Sequence, residues 1–140
     1  MSGNMTFTMI KPTAIKKNNA GAILKMINEA GFVIKAMKFT RISKTQAAAF
    51  YAIHKGKPFF DGLIRFMSSG PIIAAILEKE NAIEDFRELI GATNPENAKE
   101  GTVRKLFACS MTENAVHGSD SDENAKIEAD FFFNQLEIYY

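Results

Sequence analysis

Phe32-Val33-Ile34-Lys35-Ala36-Met37-Lys38-Phe39-Thr40-Arg41-Ile42 interleaves apolar side chains with basic or polar ones. That alternation predicts a strand with one dry and one wet face, the pattern of an antiparallel sheet. Upstream, Ile23, Met26, Ile27 and Ala30 recur at helical spacing, and Gly31 stops that helix. Thr6–Ile10, closed by Lys11-Pro12, reads as the first strand. Downstream, Ser43 caps a helix running through the alanines to about Ile53. A short helix follows from Phe59 to Met67, then a buried strand at Ile72–Leu77 and a helix over Asn81–Ile90. A loop over 91–101, a short helix near Val103–Phe107 and a strand near Cys109–Met111 come next. Asp120 with Glu123 resembles a capping box for a last helix reaching about Phe133. Strands alternating with helices predict an α+β fold with one sheet face covered by helices. The ferredoxin-like βαββαβ arrangement, a four-stranded antiparallel sheet, suits this order.

The chain has 140 residues, 46% of them hydrophobic, with twelve Phe, enough for the core of one domain spanning 1–140. No run approaches 18 apolar residues, so no membrane span is expected, and the start at Met1-Ser2-Gly3-Asn4 does not read as a secretory signal. A single cysteine, Cys109, excludes an internal disulfide and fits the reducing cytoplasm. Its apolar neighbours suggest a small buried hydrophobe rather than a reactive thiol. The net charge of +1 hides an asymmetry, +9 over residues 1–57 and −8 over 58–140. Because the basic residues are spread out, the two halves are expected to interleave in one fold rather than form a nucleic-acid tail.

Neither G-x-x-x-x-G-K-[ST] nor G-x-G-x-x-G occurs, so any phosphate must be held by side chains. Lys11, Arg87 and Arg104 are the candidates, provided that the fold gathers them; separately each reads as a solvated charge. His117 lies in Asn114-Ala115-Val116-His117-Gly118-Ser119-Asp120, where small neighbours leave its ring approachable. A neutral imidazole with free space is a good nucleophile. Glu128 on the last helix either accepts the N–H of His117 or is an ordinary border glutamate. Phe59 and Phe60, beside the basic turn Lys55-Gly56-Lys57-Pro58, offer a ring for stacking on a base, or core packing. His54, without small neighbours or an acid partner, is the weaker nucleophile. Asp120, Asp122 and Glu123 lack metal-loop spacing and read as a charged first helical turn.

Taken in order, Met9-Ile10-Lys11-Pro12, Lys57-Pro58-Phe59-Phe60, Met67-Ser68-Ser69-Gly70-Pro71, Gly91-Ala92-Thr93-Asn94-Pro95, Gly101-Thr102-Val103-Arg104 and Asn114–Ser121 resemble nucleoside diphosphate kinases. The likeness runs from Thr6 to about Phe133. It implies a ping-pong transfer of the γ-phosphate from ATP or another nucleoside triphosphate to a nucleoside diphosphate, with little base selectivity. His117 falls on the family's phosphorylated histidine. Lys11, Arg87, Thr93 and Arg104 fall on its phosphate-binding positions, Asn114 on a ribose-binding one and Phe59 on the base-stacking aromatic. Tyr51 matches the tyrosine near the histidine, and Ser119 and Glu128 its hydrogen-bonding support. The resemblance also implies Mg²⁺ held by the nucleotide's own phosphates with no protein ligands, and a homo-oligomer, tetramer or hexamer, needing neither membrane nor nucleic acid. Thr13, Lys57, Lys105-Leu106 and Lys17-Asn18-Asn19 depart from the common pattern at positions without a chemical role. Two rival readings are a sheet that binds single-stranded nucleic acid by aromatic stacking and a phosphohistidine carrier or phosphatase.

Overall fold

The computed structural model describes residues 3–139. Four strands, β1 (Met5–Ile10), β2 (Val33–Thr40), β3 (Ile72–Glu78) and β4 (Val116–Gly118), pair antiparallel throughout in the order β2-β3-β1-β4. This is the ferredoxin-like order expected from the alternation. The helices are α1 (Pro12–Lys16), α2 (Ala20–Glu29), α3 (Lys44–Phe50), α4 (Phe60–Met67), α5 (Ala82–Ile90), α6 (Val103–Phe107) and α7 (Asp122–Phe132).

Helices lie on both sheet faces, which corrects the expectation of a single covered face. Phe7, Met9, Ala74 and Ile76 point into a core with residues of α3, α4 and α7. Their strand neighbours Ile10, Ala75 and Leu77 point into a second core with Ile23 and Ile27 of α2 and Phe86 and Ile90 of α5. The central strands β1 and β3 are therefore dry on both sides. Only β2, at the sheet edge, keeps the mixed pattern that suggested a wet face, and it leaves Val33, Met37 and Phe39 exposed.

Several boundaries move for local reasons. Pro12 nucleates α1, which the sequence reading lacked, because proline's fixed φ suits the first helical position. Ser43 caps α3 in a reciprocal box with Gln46, but the helix ends at Phe50 and a 3₁₀ turn carries Ala52–His54. Residues 109–111 form no strand: the Cys109 amide donates to the Glu113 carbonyl at 2.8 Å and closes a loop. Cys109 is accordingly exposed, not buried, with its sulfur 3.0 Å from Lys17 Nζ. The last helix is capped one residue later than expected, by Ser121, whose hydroxyl accepts from the Asn124 amide at 3.1 Å. Asp120 instead accepts from the Asn124 side chain.

Candidate active site

The short strand β4 decides where His117 points. Its register against β1 sets His117 opposite Met9 and Gly118 opposite Thr8. The His117 carbonyl accepts from the Thr8 hydroxyl at 2.7 Å. The imidazole faces the α3/α7 side, edge-on to Phe7, Phe50 and Tyr51 at ring separations of 6.0, 5.6 and 6.4 Å. Gly118 looks the other way, onto α5. A Cβ there would lie 2.8 Å from Ile90 Cδ1, so β4 can approach this closely only without a side chain.

Just before β4, Ala115 adopts φ +73° and the Val116 amide donates to the Asn114 carbonyl at 2.9 Å. That is a γ-turn at a non-glycine residue, a strained conformation of the kind stored at functional sites. It presents three neighbouring groups to one place. The Ala115 carbonyl takes the Lys11 amide at 2.8 Å, the Asn114 side-chain oxygen takes Lys11 Nζ at 2.7 Å, and the Val116 carbonyl takes Arg104 at 3.0 Å.

On the far side of the ring, His117 Nε2 lies 2.9 Å from Glu128 Oε1. The same oxygen accepts from the Ser119 hydroxyl at 2.7 Å, and the Ser119 oxygen in turn accepts from the Phe7 amide at 3.1 Å. Both members of the His117–Glu128 pair are only 17% exposed. With the N–H on Nε2 directed at a carboxylate, the lone pair falls on Nδ1.

A cleft of about 320 Å³ opens at this point. It gathers Lys11, Tyr51, Phe59, Arg87, Thr93, Arg104, Asn114, His117 and Glu128. Ser119 lies behind the wall, fully buried, and reaches the cleft only through Glu128. All ten candidates thus come together, although they span more than a hundred residues of sequence. Phe59 is nearly half exposed, available as a platform, whereas Phe60 packs against the α3/α4 core. His54 also lines the cleft, between the Tyr51 and Phe59 rings. Sequence reasoning missed the apolar lining residues Phe50, Ile53, Leu63 and Met111 and the polar Thr112 and Asn124. Met111 had no signal, because a loop closure rather than a repeat brings it there.

Electrostatically the inner end is strained. Burial, with the Arg104 guanidinium adding to it, brings the Lys11 ammonium down to about 7. Burial and then Arg87 bring Arg104 down to about 10. Arg104 spends its two terminal nitrogens on the Gly91 and Val116 carbonyls, and its buried Nε has no partner among the described residues. Burial, reinforced by the Glu128 charge, pushes the Tyr51 phenol well above its usual range, and its hydroxyl is likewise unpartnered. Cations that no carboxylate pairs among the described residues, in a half-closed cleft beside a ring nitrogen, are arranged for an anion. Among the described residues no group of three or more His, Cys, Asp or Glu is placed to hold a metal ion, and no helix is long and apolar enough to cross a membrane.

Residues 4–138 match the family model for nucleoside diphosphate kinase. The chain is 59% identical to the nucleoside diphosphate kinase of Flavobacterium psychrophilum over 95% of its length and 96% of the relative's. It is 55% identical to that of Lawsonia intracellularis over 94% and 96%. Among solved structures, the Aquifex aeolicus nucleoside diphosphate kinase superposes with a TM-score of 0.94 at 43% identity, over 96% of this chain and 98% of that one. The halophilic enzyme of Halobacterium salinarum, determined in complex with CDP, superposes with a TM-score of 0.94 at 34% identity, covering 99% and 92%. A cationic cleft around a carboxylate-held histidine, on a fold and sequence shared end to end with these enzymes, places the chain in the nucleoside diphosphate kinase family.

Proposed function

We propose that His117 carries the phosphoryl group in a ping-pong nucleoside diphosphate kinase reaction run by one catalytic domain spanning residues 1–140. The observation that carries this reading is the His117–Glu128–Ser119 chain beside Lys11 and Arg104. Nδ1 attacks the γ-phosphorus of a nucleoside triphosphate such as ATP. The Nδ1–P bond forms as the bond to the β,γ-bridging oxygen breaks, and the nucleoside diphosphate leaves with that electron pair. The ring keeps its proton on Nε2, where Glu128 balances the positive charge that develops, and Ser119 holds the carboxylate in line. In the second half the β-phosphate oxygen of an acceptor diphosphate takes the group by the reverse path.

Lys11, Arg87 and Arg104 neutralise the phosphate oxygens, and Thr93 adds a hydroxyl donor. Asn114 faces the sugar, and the Tyr51 hydroxyl supplies a donor beside the ring. Phe59 stacks on the base, with Met111 as an apolar neighbour on the rim. A flat apolar platform reads no base edge, so purine and pyrimidine nucleotides are accepted alike. The CDP held by the archaeal relative supports a diphosphate ligand for this cleft. The donor set suits Mg²⁺ that enters on the nucleotide: Mg²⁺ binds through substrate phosphates and one or two carboxylates, and Asp120 on the cleft wall is available to its water shell. The ion supplies charge neutralisation of the triphosphate.

The exposed apolar residues of edge strand β2 support assembly into a homo-oligomer, a tetramer or hexamer, and a reducing compartment such as the cytoplasm suits an exposed Cys109. The decisive experiment is label transfer. Incubation with γ-labelled ATP is expected to give an acid-labile, base-stable protein label that moves to CDP and GDP at comparable rates. His117→Ala abolishes the label. A label that stays on the protein would mark a carrier, and no label would mark a binding protein.

A further inference from the structure

Lys11 is buried at 5% exposure, and its three N–H donors meet a single hydrogen-bond acceptor, the neutral oxygen of Asn114. No carboxylate forms an ion pair with it among the described residues. The charged and titratable groups around it come from every neighbouring element. Arg87 of α5 and Arg104 of α6 are cations. Glu128 of α7 is engaged by Ser119 and by His117 of β4, Asp120 by the Asn124 side chain, and His54 lies between the Tyr51 and Phe59 rings. Tyr51, at the end of α3, stays neutral. Glu113, in the loop before β4, accepts from Thr13. Arg104 cannot relieve the crowding by moving, because two carbonyls fix it, and a guanidinium does not release its proton near neutrality. Lysine is the member of the cluster that can.

We infer that nucleotide binding is coupled to proton uptake at Lys11: the empty cleft relieves its crowded cations by releasing this proton, and an entering polyphosphate draws one back from solvent. The inference rests on the nucleotide reading of the cleft and adds its regulation by pH. Nζ begins as an amine and takes H⁺ from bulk water, so the entering phosphates meet a full complement of cations only after that step. Because the bare lysine titrates near 7, nucleotide affinity falls as pH rises above that value, until it meets the higher pKa of the complex.

The test is calorimetric titration of the protein with Mg·ADP at pH 8 in two buffers of different ionisation enthalpy. ADP is fully ionised there, so uptake reports on the protein. The expected result is uptake of about 0.9 proton per ADP at pH 8 and about 0.1 at pH 6, the fractions set by a group that titrates near 7. Lys11→Arg keeps a permanent cation and is expected to bind with no uptake. Binding by the wild type with uptake below about 0.2 proton at pH 8 overturns the coupling and leaves the nucleotide site standing. Uptake that persists in Lys11→Arg overturns the assignment to Lys11, and absence of ADP binding overturns both. Should Lys11→Arg fail to fold, NMR titration of the Lys11 side chain decides: a midpoint near 7 that moves up with ADP is expected, and one near 10 in the free protein refutes the coupling.

Discussion

At the residue scale, the burial of Lys11 sets its charge against stability. Its ammonium titrates near 7 in the fold and at 10.5 when solvated, so the unfolded chain binds the extra proton between those values. Stability from this group therefore rises as pH increases from about 7 to 10, and the cost of burying the charge is fully felt below 7. Lys11→Met removes that cost but leaves the Asn114 oxygen unpaired. The ligand-free variant is expected to gain on the order of 1 kcal/mol at pH 7, about 3 °C in Tm, and to lose phosphotransfer. A thermal melt from pH 6 to 10 that keeps the wild-type slope in this variant would refute the assignment. Arg104→Ala is expected to cost on the order of 3 kcal/mol of transition-state stabilisation, by analogy with loss of one preorganised donor. A fall in kcat/KM of less than tenfold would count against its role. These residues were legible in the chain because their chemistry is: a histidine among small residues and three cations near loop ends suggest phosphate. The burial of Lys11 and Arg104 was not legible, since it depends on which elements cover them.

Among the elements, β4 carries the most on the fewest residues. It is three residues long, strained at its entrance by Ala115 and pressed against α5 at Gly118. Gly118→Ala is expected to push β4 off Ile90, with a loss of about 1–2 kcal/mol in stability and a lower kcat, because the backbone that moves carries the imidazole. Adding Ile90→Val makes room for the methyl, so the double variant should recover part of both losses in a double-mutant cycle. Purely additive losses would show that the close approach does not position His117. The sequence reading located α2 by helical spacing, β1 as a β-rich run closed by Lys11-Pro12, β3 as an apolar run and α5 over 81–90, yet it set the fourth strand at 109–111. Apolar side chains suggested that strand, but loop closure from Cys109 to Glu113 takes the local backbone groups out of any ladder. Three residues are also too few for an alternation to register.

For the whole molecule, the two cores explain why a sheet with a mixed outer strand is otherwise dry. α2 and α5 cover one face, and α3, α4 and α7 the other. Among the strands, the exposed apolar side chains lie on the edge strand β2: Val33, Met37 and Phe39, the last 67% exposed. Burying such an edge against another copy is the expected outcome, so solution mass should be a multiple of 15.5 kDa. Phe39→Glu is expected to lower that mass, and an unchanged assembly would exclude this face as the interface.

Periodicity, turn residues and ordered motifs are local properties, so the chain alone was enough for the α+β class, most of the strand-and-helix order and the family resemblance that nominates the reacting groups. Which faces are covered, that Met111 joins the rim and that burial lowers the Lys11 pKa all depend on groups far apart in sequence. Burial and charge crowding arise only when those groups meet, which is why the folded molecule alone decides them.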